Sequence, residues 1–312
     1  MRPPAVARGA PAAPSKSVPV KIGAGILPAE ALRLIVLNCA AHFAANAGGV
    51  HGRDPLEFVH QARIGLRRLR SALRLARPKD PTVRRLRREI RWVARNLGAA
   101  RDWDISIALF ESVAASGHGR GNKACLDRLV ADARRQRSLA LKVARASLRS
   151  ARHAATFDGL QRWLAGSPGM SLQGLTLGQI AAGELRKRHK QLFRLAGPLA
   201  ERTESERHRV RIAAKRLRYV TEFFAPLFAA KRAASYLREL YALQDALGAL
   251  NDLVTARRLL ARLPQARAAA PAVRRWMAEQ RSAELANAQA ALDRLRECRH
   301  FWKRTRHERT AG

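Results

Sequence analysis

The 312-residue chain is long enough for one large domain or two of ordinary size, and with 47 % hydrophobic residues it can bury a core. Its 60 Lys+Arg against 24 Asp+Glu leave a formal net charge of +36, a self-repulsion that calls for a polyanion such as nucleic acid, an acidic membrane surface or a phosphate polymer. Three scattered cysteines without a CxxC pair exclude a disulfide framework and a zinc-ribbon site, and no apolar run approaches the ~20 residues of a membrane span; a reducing, cytoplasmic setting fits.

Residues 1–27 are rich in Pro, Ala and Gly, with Arg2, Arg8, Lys16 and Lys21 and no acid. Five prolines break the amphipathic helix that a transit peptide needs, so the segment reads as a disordered basic tail. From Pro28 the rest reads as helix, since Ala, Leu and Arg dominate and aromatics are only 5 %. A first helix runs through Leu32, Ile35, Val36, Cys39 and Phe43 to Gly48 and Gly49. A second opens with Asp54 as N-cap and Pro55 at the first helical position, and ends by Pro78.

On that second helix His60, Arg63, Arg67, Arg70 and Arg74 recur three or four residues apart and share one face, beside an apolar seam of Val59, Ala62, Leu66, Leu69 and Leu73. A solvated helix face ordinarily mixes charge signs, but no acid lies between His60 and Arg77. Guanidinium forks match phosphate oxygens in pairs and never deprotonate, so the row suits phosphate contact. A histidine at its head gains a second donor on protonation, which a polyanion would promote.

The next helix, from about Thr82, carries Arg91 and Arg95 and leads into Leu97-Gly98-Ala99-Ala100-Arg101-Asp102-Trp103-Asp104. A glycine-rich loop at 116–122 lacks the Gly-Lys-Ser/Thr ending of a phosphate-binding loop. Helices over about 123–149 and through Phe157 to Leu164 follow, and 165–174 reads as a joint between halves. The second half begins near Thr176 with a basic helix holding Arg186, His189 and Lys190. Glu204-Ser205-Glu206 sits at a helix entry and lacks the lysine of a triphosphate-hydrolase strand.

Then the row returns: His208, Arg211, Lys215 and Arg218 match His60, Arg63, Arg67 and Arg70 at a shift of 148 residues (208 − 60). Leu247-Gly248-Ala249-Leu250-Asn251-Asp252 echoes the 97–102 stretch at a shift of 150 (248 − 98). Two motifs in one order at nearly one shift indicate a domain-scale duplication. The chain ends with helices over about 231–248, 251–263 and 271–299 and a basic tail. The fold class is therefore all-α, with two four-helix bundle halves related by a pseudo-twofold axis.

No nucleophile–base pair, metal-ligand spacing or cofactor motif stands out, so the chain reads as a binder with no catalytic residues, no metal and no cofactor. Asp102 and Asp252 read as carboxylates that orient neighbouring arginines, and Asp102-x-Asp104 as a weaker candidate for Mg²⁺ because the second copy keeps one acid. Gly98 and Gly248 read as points of close helix packing or a break.

Taken together, VHQARIGLRRLRSALRL at 59–75, RHRVRIAAKRLRYVTEFF at 207–224, and LGAARDWD and LGALND after them resemble the CHAD family, the conserved histidine α-helical domain, over residues 28–305. The resemblance implies a stand-alone CHAD domain, with no triphosphate tunnel (CYTH) domain within residues 1–27, and halves at 28–166 and 175–305. It implies a basic central cavity that binds inorganic polyphosphate, lined by His60, Arg63, Arg67 and Arg70 and by His208, Arg211, Lys215 and Arg218. Arg74, Arg91, Arg95, Arg101, Arg186, His189 and Lys190 would add to it, and phosphate or sulfate ions would bind there too. Residues 306–312 form the C-terminal tail. Association with polyphosphate granules follows from the resemblance. The alternatives are a nucleic-acid-binding helical protein, for which nucleic acid would be more than a weaker nonspecific polyanion, and an accessory subunit of a polyphosphate-metabolising enzyme.

Overall fold

The computed structural model describes residues 13–23, 25–77, 79–119, 121–166, 169, 174–263 and 266–303. Among these residues the chain is all-α, as its composition predicts: nine α-helices and no β-strand. They are α1 (Pro28–Ala47), α2 (Leu56–Ala72), α3 (Pro81–Ala115), α4 (Lys123–Arg149), α5 (Ala151–Ala165), α6 (Leu177–Ala196), α7 (Glu204–Phe224), α8 (Ala230–Leu260) and α9 (Ala266–Glu297).

The helix boundaries have local causes. Asp80 caps α3: its Oδ1 accepts from the Thr82 and Val83 amides at 2.8 and 3.2 Å, and Pro81 occupies the first helical position. Reciprocal capping boxes start α6 (Thr176 with Gln179) and α7 (Thr203 with Glu206). Glu206 thus serves the helix entry, as its place in the sequence indicates. Gly197 ends α6 at φ +61°, where a side chain would be strained and would meet the Arg202 guanidinium. Three boundaries depart from the sequence reading. Asp54 does not cap α2, whose N-cap is Pro55 without a side-chain bond. Gly98 interrupts nothing, since α3 runs through it. Pro271 lies inside α9, in its second turn, where it removes one amide donor from the ladder.

The chain forms two compact units interleaved in sequence. The first comprises Met1–Val18, Val36–Pro168 and Asp252–Arg281; the second comprises Pro19–Ile35, Gly169–Asn251 and Ser282–Gly312. In the first unit, Trp103, Ile107, Phe110 and Val113 of α3 pack with Leu126, Leu129 and Val130 of α4, with Leu253 and Leu260 of α8 and with Val273 and Met277 of α9. At its other end Phe43 of α1 stacks on Phe157 of α5 at 4.9 Å. Gly65 of α2 lies so close to α1 that a β-carbon would come within 2.8 Å of the Phe43 amide nitrogen. The second unit is closed by an aromatic cluster in which Tyr236, Phe301 and Trp302 are buried edge to face.

Part of the segment read as a disordered tail is tied down. Residues 1–12 lie outside the described residues, as do 304–312, which include the C-terminal tail. Asn38, His42 and Asn46, four residues apart on α1, form a ladder along the extended stretch beyond residue 12. The Ser15 amide donates to Asn46 Oδ1 at 3.0 Å and Asn46 Nδ2 donates back to the Ser15 carbonyl at 3.0 Å. His42 Nε2 meets the same carbonyl at 3.1 Å, and Asn38 Nδ2 donates to the Val18 carbonyl at 3.3 Å. Composition hides this, because backbone bonds do not depend on the side chains of the segment itself.

Asp80 also accepts from the Trp163 indole at 2.9 Å, so one carboxylate ties the start of α3 to α5. Asp80→Ala removes a cap and strands the indole, and we expect a loss of about 2 kcal/mol in urea denaturation; a change below a few tenths would show that α3 does not need this cap.

Candidate functional site

From Phe58 to Leu73, every residue of α2 and its C-cap is buried except His60, Arg63, Ile64, Arg67, Arg70 and Ser71. The helix is packed on all sides but one, and the remaining stripe carries the cations. Arg74 continues the stripe into the turn after α2, half-buried like the other four. Arg68 is turned the other way, 4 % exposed in the core beside Cys39, whose thiol burial pushes up to about 12.

The chain turns back between α2 and α3, so α3 runs antiparallel to α2 and flanks the stripe. Arg63 lies directly over Gly98, where a β-carbon would collide with its guanidinium, and its Nη2 is 3.9 Å from Asp102 Oδ1. Asp102 Oδ2 is also 3.9 Å from Arg258 Nη2, which places the carboxylate between two guanidiniums. Asp104 points elsewhere. It is buried, paired with Arg137 Nε of α4 at 2.5 Å, and its carboxyl is pushed up by burial against the opposing pull of Arg137. The two acids of the D-x-D pair therefore do not face one ion, and among the described residues no group of three His, Cys, Asp or Glu side chains could hold a metal.

The register that sets Arg63 against Gly98 also puts His60 beside Arg101. Arg91 and Arg95 share the α3 stripe of Gly98 and Asp102 and are exposed; Arg87 and Arg101 are half-buried. His60 is held neutral at physiological pH. Burial, then the charges of Arg101, Arg67 and Arg63, lower its pKa from 6.5 to about 4, against a weaker pull from Glu57. Burial and the neighbouring Arg91 likewise depress Arg87. Arg87 lies one turn before Arg91 on the same α3 stripe, but the 150-residue repeat has Leu237 at its counterpart, so the repeated motifs do not single it out.

The second row has the same construction. His208, exposed at the start of α7, has Nδ1 3.1 Å from Asn251 Oδ1. Asn251 is the counterpart of Arg101, so both histidines meet the same position of the following long helix. Arg211, Lys215 and Arg218 are half-buried on one stripe. Arg218 Nε is 3.4 Å from Glu222 Oε1, which also accepts from the Tyr241 hydroxyl at 3.0 Å, and the Arg218 guanidinium lies 4.8 Å from the Tyr219 ring. Gly248 is the counterpart of Gly98, but a β-carbon there would meet nothing within 4 Å. Close approach across the glycine thus holds for the first copy and not the second. Asp252 is half-buried on the same α8 stripe.

Of the α6 candidates, Arg186 and Lys190 are exposed. His189 does not stand with them as an anion ligand: its Nδ1 is 2.9 Å from the Tyr236 hydroxyl and its Nε2 is 3.1 Å from His300 Nε2. Both ring nitrogens are engaged inside the aromatic cluster, where burial, then His300 and Lys303, lower its pKa to about 4. The adjacent basic residues gave no sign of this, because Tyr236 and His300 are distant in sequence.

Residues 34–261 match the family model of the CHAD domain. The crystal structure of the CHAD domain from the plant Ricinus communis superposes with a TM-score of 0.74 at 32 % identity, covering 92 % of this chain and 98 % of that one. PptA from Streptomyces chartreusis shares the fold, with a TM-score of 0.61 at 20 % identity over 87 % of this chain and 98 % of its own. No curated protein matches the chain.

Two outcomes follow from this geometry. Gly248→Ala, in open space, should stabilise the protein by about 0.5–1 kcal/mol through helix propensity, whereas Gly98→Ala must displace Arg63 and should gain less; equal gains in thermal denaturation would contradict the close approach. His60 carries the second. Its folded-state pKa lies below the unfolded value, so the unfolded chain binds more protons and stability falls as pH drops from 6.5 towards 4. In urea melts, His60→Gln should flatten that decline; an unchanged slope would mean that His60 is not desolvated.

Proposed function

The chain belongs to the CHAD domain family, and from that premise we propose that it binds inorganic polyphosphate without catalysing its turnover. The observation that carries this reading is the α2 stripe. His60, Arg63, Arg67, Arg70 and Arg74 recur one helical turn apart, about 5–6 Å, on the one side of the helix that is not packed away. A linear polyanion laid along such a row meets a new cation at every turn, exchanges its counterions for fixed guanidiniums and accepts charge-assisted hydrogen bonds along its length. A phosphate polymer has no base edges to read, and the α2 row from His60 to Arg74 contains no Phe, Tyr or Trp on which single-stranded nucleic acid could stack. The second stripe on α7 repeats the chemistry with His208, Arg211, Lys215 and Arg218. Arg186 and Lys190 add exposed charge, and Asp102 and Asp252 orient rather than bind.

A binder of this kind would associate with polyphosphate granules, and phosphate or sulfate ions would occupy the same positions at high concentration. Among the described residues no helix is long and apolar enough to cross a membrane. No residue set in either row pairs a nucleophile with a base, which supports binding over hydrolysis; an accessory role beside a polyphosphate-metabolising enzyme is compatible with the same contacts.

Competition separates the polymer from nucleic acid. Long-chain polyphosphate should displace duplex DNA of equal charge from the protein at physiological salt; retention of DNA would overturn the reading. Arg67→Glu with Lys215→Glu should weaken polyphosphate binding by at least tenfold more than Arg2→Glu with Arg8→Glu in the tail, on the order of one charged hydrogen bond lost per site. Equal losses would mean that total charge, and not the rows, does the binding. Bound polyanion should also raise the His60 pKa above about 4. The complex then holds more protons than the free protein, so affinity should rise as pH falls below neutral, and a His60 imidazole titration unmoved by polyphosphate would place the polymer elsewhere.

A further inference from the structure

We infer that the two cation faces are unequal: the α2–α3 face of the first unit is the primary anchor of the phosphate chain, with Arg87 among its contacts, and the α7–α8 face holds the chain weakly. This rests on the polyphosphate reading above.

The duplication supplies its own comparison. At the 148-residue shift the α2 row maps onto α7 residue by residue, but the fifth position changes sign, from Arg74 to Glu222. At the 150-residue shift the flanking stripe changes more. Arg87, Arg91, Arg95 and Arg101 of α3 become Leu237, Tyr241, Asp245 and Asn251 of α8. One pairing recurs in both copies: His60 lies beside Arg101 as His208 lies beside Asn251. In the second, Arg218 lies 5.3 Å from the ring of Tyr241, the counterpart in sequence of Arg91. The difference is therefore in side-chain chemistry at equivalent places. The first face sets eight arginines against Asp102 and Glu57. The second sets three cations against Glu222 and Asp245.

Local contacts deepen the contrast. Arg218 already has Glu222 at 3.4 Å, and Tyr241 both donates to that carboxylate and lies under the Arg218 guanidinium. A phosphate arriving at Arg218 must compete with an acid on the next turn of the same helix. On α2 the residue one turn after Arg70 is Arg74, so the sequence sets a cation where α7 has Glu222. Two adjacent rows of guanidiniums can grip a polyanion from both sides, whereas a single row beside acids is near electrical balance. Counterion release grows with the number of cations engaged, so affinity and its salt dependence should both reside mainly on the first face.

Titration calorimetry of the full chain with sodium polyphosphate of long chain length, at several salt concentrations, tests this. Arg87→Gln with Arg91→Gln should weaken binding about tenfold or more and flatten the salt dependence, while Lys215→Gln with Arg218→Gln should cost about threefold or less. Asp245→Arg, at an exposed position where misfolding is not at issue, should tighten binding and steepen the salt dependence. Equal losses from the two double variants, a larger loss from the α7 pair, or no gain from Asp245→Arg would overturn the inequality. Failure of the unmodified protein to bind would instead overturn the polyphosphate reading itself, and the inequality with it.

Discussion

The constraint on which the rest depends is the half-burial of like charges. A guanidinium loses hydration when it is packed against protein, and its neighbours on the next turn repel it in a medium that screens less well than water. Six of the sixteen positions from Phe58 to Leu73 are accessible, and four of those are His60, Arg63, Arg67 and Arg70. The depressed pKa of His60, about 4, and that of Arg87 register the same crowding from two sides. Such an arrangement costs folding free energy, and a bound polyanion would offset part of that cost. The aliphatic stems of the arginines pack in the meantime, which is how a helix can be both amphipathic and cationic on its polar stripe.

Much of the fold could be read from periodicity. The all-α class, the two signature helices and the duplication all follow from apolar residues recurring at helical spacing and from one motif order at one shift. What periodicity could not supply lies in contacts between residues distant in sequence. Trp163 bonds to Asp80, and Asn46 to Ser15, with no local signal in either case. The failure of Asp54 as a cap is of another kind: Pro55 takes the N-cap position itself, so the preferred residue stands one place too early.

The site was legible to a different degree on each helix. On α2 and α7 spacing alone placed the cations together, because one helix determines one stripe. Spacing also grouped Arg186, His189 and Lys190, but the structure gives His189 to Tyr236 and His300, since burial draws a half-apolar ring into an aromatic cluster more readily than it draws a lysine. Arg87 shows the converse. Its crowding comes from burial and from Arg91 one turn on along α3, and the repeat that exposes the α2 row says nothing of it. The glycines make the same point: Gly98 and Gly248 are matched in sequence, yet only Gly98 has a guanidinium over it.

The most direct measurement is a crystal structure of the full chain with a short polyphosphate bound. The account predicts phosphorus density running along the α2 stripe from His60 to Arg74, with guanidinium forks paired to successive phosphates. Density confined to the basic tails or spread over the outer faces of α4 and α9, with the α2 stripe bare, would contradict it.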